Sequence, residues 1–542
     1  YLTSRCDWFH GQTIESSVSG GIISVVATDS ASLSPPTTNL KIVGLFGHLG
    51  KSHFDVFRPL MEELARRGHD VTVISHFPRT QKAISAEPLP TYKDISLLDE
   101  KAEVFLNVVD LNMIDHSFLK PFKELVALSY MSSIGCDKAF SNPRVKQFVE
   151  SGVKVDLVLT EDFNTNCFMA LVHKLNAPFI EISTHLLMPW AVDQLGISYE
   201  ASYVPSLFTR NPKPMNFLQR TWNVICNAVA TGVFHTVYRY LDESVVEKAF
   251  GPGLPALKEI RQNASLMLVN THYSLHGGIS FPPNVVEIGG LHIPPKPNPL
   301  PKDIQKFLDD AHEGVLYFNL GSMVKTSSMP PEKLDVVLKV LGSIPRKVIW
   351  KWETDDIPRK FSNVLIKKWL PQYDILNHPN VKCYFGHGGL LGLSEGVYAG
   401  VPMVLMPLYG DQYQNTIAAQ ARGVAKMLFY SELTEETMRE ALNEVFNNTR
   451  CYFLSFLSKA YRDRPASALE TAVWWTEYVA RGDGLPYLKS DGQKMSWYQR
   501  NLVDVTAFLL SLSLLALYVI YRTIKCLISR LLGRTDKKSK KD

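Results

Sequence analysis

The chain has 542 residues, enough for two or three domains, and 46% of them are hydrophobic. A charged fraction of 20% excludes general disorder. The net charge of +4 is concentrated at one end: residues 522–542 hold 8 basic and 2 acidic side chains, the rest of the chain 49 and 51, so the main body is no polyanion-binding surface.

Residues 1–38 contain one short apolar stretch followed by small residues, GGIISVVATDSAS. It is either the remnant of a signal sequence or the edge of an incomplete one, and no element is predicted there. LKIVGLF (40–46) is then an apolar run of strand length, followed by the glycine-rich turn GHLGKS. Ser52 fits a helix N-cap, with Asp55 at capping-box spacing. Phe54, Phe57, Leu60, Met61 and Leu64 form a helical stripe that ends at Gly68, and HDVTVIS is the next strand. This is a βαβ unit opening a parallel α/β domain. VDLVLT and APFIEIS repeat the strand pattern around a helix predicted over 166–175, and residues 186–250 are rich in aromatics and prolines with helical stretches.

From about Asn263 the pattern restarts with LMLVNT, VLYFNLGS, KVIWKW, NVLIKKW, VKCYFGHGG and PMVLMPL as strands. GLHIPPKPNPLP (290–301) reads as an extended linker. The chain therefore divides into an α/β half over 39–289 and a second over 302–496, with a cleft between them. The last helix of the second half, about 466–481, is able to pack back on the first.

VTAFLLSLSLLALYVIY (505–521) is 17 residues without a charge, close to the shortest helix that spans a bilayer. Aromatic residues flank it and a polybasic tail follows, so a membrane helix is expected over 502–522 with residues 523–542 in the cytosol. The closing lysines also look like a retrieval signal for the endoplasmic reticulum. Two N-x-S/T sequons, at Asn263 and Asn447, are compatible with a lumenal body. Seven cysteines show no C-x-x-C pair and no zinc spacing, and their pairing is not legible.

The chemistry concentrates in the second half. His387, Gly388 and Gly389 form a turn between VKCYF and a short helix at 390–399, where backbone N–H groups favour an anion and glycines allow a phosphate to come close. Glu395 on that helix suits ribose hydroxyls. Asp411 and Gln412, past the end of PMVLMPL, suit the vicinal hydroxyls of a sugar, since ligands in open sheets bind at the carboxyl ends of strands. Trp369 offers a stacking surface, Gln372 an amide for a base edge, and Ser322 after NLG a further phosphate contact.

W-x-P-Q-x-D-x-L-x-H-P at 369–379, F-x-H-G-G-x-x-x-x-x-E-x-x-x-x-G-V-P at 385–402 and G-D-Q-x-x-N at 410–415 resemble the signature of the UDP-glycosyltransferase family, and residues 44–78 are similar to its insect members. The resemblance covers about 40–542, with Gly386 standing where threonine is usual. It implies a GT-B fold, two Rossmann-like domains with the acceptor bound by the first and the UDP-sugar by the second. It implies further that His53 is the catalytic base. A histidine in the first turn of a helix meets the positive end of the dipole and stays neutral. The carboxylate orienting it is Glu161 or Asp162, and whichever is unused is expected at the surface. No D-x-D motif lies between the halves, so no cofactor and no metal are expected, and transfer is expected to invert the anomeric carbon. Partners are the UDP-sugar, with glucose favoured, a small lipophilic acceptor and a membrane; self-association stays open. A non-catalytic binder is the alternative, while a dinucleotide oxidoreductase is disfavoured because GLFGHLG is not G-x-G-x-x-G and no acidic residue closes HDVTVIS.

Overall fold

Each half of the chain winds its strands in the same order. The computed structural model describes residues 39–538 apart from 99–108, 116, 118, 198–199, 358 and 448–450, so the signal-like segment 1–38 lies outside the described residues. The first half contributes β1 (Lys41–Phe46), α1 (Lys51–Arg66), β2 (Asp70–Ser75), β3 (Tyr92–Ser96), α2 (Lys120–Ser141), β4 (Leu157–Glu161), β5 (Phe179–Ser183), α3 (Phe217–Val233), β6 (Leu266–Val269) and β7 (Val285–Glu287). Its seven strands are parallel in the order β3-β2-β1-β4-β5-β6-β7. The second half contributes β8 (Val315–Asn319), β9 (Lys347–Lys351), β10 (Val364–Lys367), β11 (Val381–Gly386), α4 (Leu390–Ala399), β12 (Met403–Leu405), α5 (Gln412–Ala421) and β13 (Ala425–Met427), with the sheet order β10-β9-β8-β11-β12-β13. In both sheets the order reverses beside the first strand, between β1 and β4 and between β8 and β11. Loops leaving those two strands diverge to opposite faces and open a crevice. The protein is thus a GT-B fold of two doubly wound lobes.

The central strands are continuous apolar runs because helices cover both faces of a parallel sheet. In β1, β4, β8 and β11 nearly every residue is buried. Helix α1 buries Phe54, Phe57, Leu60, Met61 and Leu64 on the face its sequence stripe indicates. Its start differs from the expected Ser52 cap. The N-cap is Gly50 without a side-chain bond, Ser52 lies inside the first turn, and Asp55 is drawn instead to Lys51, 2.7 Å away, and to Arg58. Two cations within four residues outcompete a backbone cap for one carboxylate.

The stretch between Glu287 and Lys302 carries no helix or strand. Helix α6 (Ala468–Arg481) lies against the first lobe: Ala472 and Val473 share a core with Leu60 and Leu64, and Arg67 pairs with Glu470 at 2.6 Å. The lobes also meet where Val109–Asp110 pairs in parallel with Val324–Lys325. Gln414 donates to the Thr209 carbonyl at 2.7 Å.

Helix α7 (Val503–Lys538) contains an exposed stretch of 29 residues, Val503–Leu531, long enough to cross a membrane, and its most apolar 18-residue window has a mean hydropathy of 2.2. It runs on past Arg522 because arginine, lysine and leucine are good helix formers even where the apolar run stops.

Candidate active site

The first reversal point holds a histidine cluster, in which His48 and His53 are half-buried and His185 is buried. His53 is the third residue of α1, and its Nδ1 lies 2.5 Å from Oε1 of Glu161, the last residue of β4. Thr184 Oγ1 is 3.0 Å from the same nitrogen. None of these bonds involves Nε2. The ring of His48 stands 4.3 Å from that of His53, with its Nδ1 2.8 Å from Asn164 Oδ1. His185 lies 6.2 Å from His53 on the other side. Burial and the neighbouring imidazole of His185 lower the His53 pKa to about 3, so its ring is uncharged at neutral pH. Burial raises Glu161 to about 7, although the nearby His48 and His185 oppose this.

Asp162 turns the other way. It forms a buried ion pair with Arg261, whose Nε also reaches Glu181 at 2.6 Å. The expectation that the second carboxylate lies on the surface is therefore corrected: Asp162 is fully buried. Successive residues of a strand point to opposite faces, so Glu161 and Asp162 do not share a partner. Cys136 and Cys167 form a disulfide that ties α2 to the turn just beyond this pair.

The second reversal point faces it. The His387 ring is held between two glycines: a Cβ on Gly321 would come within 2.6 Å of it and one on Gly389 within 2.5 Å. Gly388 has φ +80°, and a Cβ there would meet Thr416 at 2.3 Å. Helix α4 begins after Gly389 with no side-chain cap, leaving its first N–H groups directed at the crevice. Burial and the Lys351 ammonium lower His387 to about 4. Lys351, at the end of β9, donates to the Gly321 carbonyl at 2.8 Å and places a cation behind this loop.

A string of polar side chains leads outward. Asn319 Oδ1 accepts from Gly321 N at 2.9 Å, and its Nδ2 donates to Gln372 Oε1 at 2.7 Å. Gln372 Nε2 donates to Glu395 at 2.6 Å, so both ends of this amide are held inside the lobe. Burial raises Glu395 to about 7. His292, from the 290–301 segment, sits 3.8 Å from Glu395. Ser322 follows Gly321 and is half-buried. Trp369 is 59% exposed at the crevice, where Lys51 Nζ of α1 lies 5.6 Å from its ring. Asp411 is close enough to act electrostatically on His53. Gln412, in contrast, is buried and its Oε1 accepts from the N–H groups of Leu408 and Tyr409, bracing the turn.

The first lobe thus carries a histidine–glutamate pair, and the second a glycine-enclosed histidine and an exposed indole. The sequence model of the family described as UDP-glucoronosyl and UDP-glucosyl transferase matches residues 48–539. The chain belongs to the UDP-glycosyltransferase family. This glycosyltransferase is 37% identical over 493 residues to UDP-glucosyltransferase 2 of Dactylopius coccus, covering 88% of this chain and 91% of that protein. It is 31% identical over 510 residues to rat UDP-glucuronosyltransferase 2B15, covering 91% and 94%. The solved structure of Phytolacca americana UGT2 with UDP-2fluoro-glucose and pterostilbene superposes with a TM-score of 0.55 at 16% identity, over 81% of this chain and all of that one.

Four side chains of the enzyme's site carry no motif: His48, Thr184, Asn319 and Lys351. All lie at or just past the carboxyl ends of parallel strands, which is the only sequence signal that marks them. An apolar recess in the first lobe is lined by Leu186, Leu187, Val192, Val204, Leu207 and Phe281, starting with the residue that follows His185.

Proposed function

We propose that this enzyme moves a hexose, glucose in our reading, from its UDP-sugar to a hydroxyl of a small lipophilic acceptor, with inversion. The observation that carries this reading is the His53–Glu161 pair facing the glycine-lined cradle of the other lobe. His53 Nε2 takes the acceptor proton as the oxygen attacks the anomeric carbon. Glu161 holds the imidazole through Nδ1 and stabilises the imidazolium as it forms. The sugar–phosphate bond breaks on the opposite side, and the departing diphosphate is met by the start of α4, His387, Ser322 and Lys351. One displacement with base and leaving group on opposite sides inverts the centre.

Lys351 and those N–H groups supply the charge stabilisation that a divalent metal gives elsewhere, which supports metal-independent transfer. Trp369 stacks on the base, Glu395 accepts from the ribose, and Asp411 meets the hexose. Gln372 serves as the brace that holds Glu395 in place. Glucose is supported by the naming of the insect relative for glucosyl transfer, and a phenolic acceptor by the greasy recess beside His185.

α7 anchors the body, with the basic tail in the cytosol and the body in the lumen of the endoplasmic reticulum. The Cys136–Cys167 disulfide supports this, since such bonds persist in oxidising compartments. The test is mass spectrometry of products from microsomes given UDP-glucose or UDP-glucuronic acid with mixed phenols, beside His53→Ala. Products from UDP-glucose that vanish in the variant are expected. Products from UDP-glucuronic acid alone would overturn the sugar, and normal turnover by the variant would overturn the base.

A further inference from the structure

Helix α3 is inside out. It buries Asn223, Cys226, Asn227 and Ala230 against the lobe. Asn223 is fixed there, accepting from Ser206 N at 2.7 Å and donating to the carbonyls of Ala201 and Val204. The outer face instead shows Phe217, Leu218, Val224, Ile225 and Val229, each 42–75% exposed. No charged residue occurs between Arg220 and Arg239. A helix bathed in water has the reverse pattern, polar outward and apolar inward.

We propose that this outer face of α3 lies in the interface of the lipid bilayer that α7 crosses, so that the catalytic body docks on the membrane as well as being tethered to it. The proposal rests on the reading of α7 as a membrane span. The geometry ties the two helices to one side of the lobe. Arg500, three residues before α7, pairs with Asp193. Asp193 also accepts from His235, 3.2 Å away and two residues past the end of α3. Ser490 donates to the Gly196 carbonyl at 3.1 Å, fastening the segment that leads into the span. Trp497, 62% exposed, and Tyr498, 45% exposed, sit at the same entry, as headgroup-level aromatics do. A face without charge beside the point where the chain enters lipid is a surface for lipid.

The consequence concerns the acceptor. Val192 and Ile197 line the apolar recess, and between them Asp193 and Gly196 hold the pre-span segment. The recess therefore lies next to the membrane contact, and a lipophilic acceptor enters it from the bilayer rather than from water.

The experiment uses the full chain in phosphatidylcholine vesicles. A ketone-bearing amino acid carrying a nitroxide replaces, in separate proteins, Val224, Val229, Leu514 in the span or the exposed Lys339 of the second lobe. Collision with dissolved oxygen is compared with collision with a water-soluble nickel chelate. Labels at 224 and 229 are expected to favour oxygen severalfold over the label at 339, as the one at 514 does. Nickel access at 224 and 229 equal to that at 339, with 514 in lipid, overturns the docking face alone. Shielding of 224 and 229 from both reagents assigns the face to a protein contact and overturns it too. Nickel access at 514 removes the span and the docking face together.

Discussion

Nδ1 of His53 and Oε1 of Glu161 lie 2.5 Å apart, although 108 positions separate the two residues in the chain. The contact occupies Nδ1, and in the proposed mechanism it leaves Nε2 for the acceptor and a carboxylate where positive charge develops. His53→Ala should lower UDP release by about 10²–10⁴-fold, the usual contribution of a general base, with little change in the KM for UDP-sugar. Glu161→Gln keeps a hydrogen-bond acceptor but not the charge, and a fall on the order of 10²-fold or more is expected. Coupled detection of UDP with each purified variant checks both.

The same pair sets the response to pH. Burial raises Glu161 to about 7 and holds His53 near 3, so at neutral pH the imidazole is already the free base. The active form needs an ionised carboxylate, which is lost as pH falls. A plot of kcat/KM against pH should therefore decline on the acid side with an apparent pKa near 7, belonging to the pair as a unit. Glu161→Gln should flatten that limb. An unchanged limb in this variant would assign the titration to another group, and Glu395 is the first alternative.

Asp162 adjoins Glu161 in sequence and does different work. Its partner Arg261 is also buried, and it also holds Glu181. Removing one member of a buried ionic cluster costs about 3–5 kcal/mol because a charge is left unpaired. Asp162→Ala should thus shift urea unfolding to lower concentration while the folded fraction keeps its turnover. Glu161→Gln should show the opposite, a slow enzyme with near-normal unfolding.

Gly321 and Gly389 enclose His387 so closely that a methyl group on either would strike its ring. Gly321 also has φ +89°, where a side chain is strained. Gly321→Ala and Gly389→Ala should raise the KM for UDP-sugar by about tenfold, equivalent to about 1.4 kcal/mol of binding. The acceptor KM should change little, and initial-rate kinetics with each substrate varied separately would show this.

Much of this was legible from residue order. A long apolar run reports a strand buried on both faces, so β1, β4, β8 and β11 stand out, and motif glycines mark the turns after them. The strands that do not stand out are Tyr92–Ser96, Val285–Glu287 and Ala425–Met427, which are sheet edges with no long apolar run to betray them, and the two-residue pair of Val109–Asp110 with Val324–Lys325. The Ser52 cap misled for a related reason: local spacing cannot weigh the cations that claim Asp55.

Sequence alone determined the two-lobed winding, the family, the long apolar terminal helix and a short set of candidate residues for the chemistry, because these depend on local periodicity and motif spacing. Only the tertiary structure decided which of two adjacent carboxylates meets His53, that Gln412 braces a turn, and that Lys351 stands behind the anion cradle. It alone also showed that α3 hides its asparagines and displays its valines. Those facts depend on which strands become neighbours and which face of a helix meets the core. Side-chain direction is set by packing across hundreds of residues, and no stretch of sequence carries it by itself.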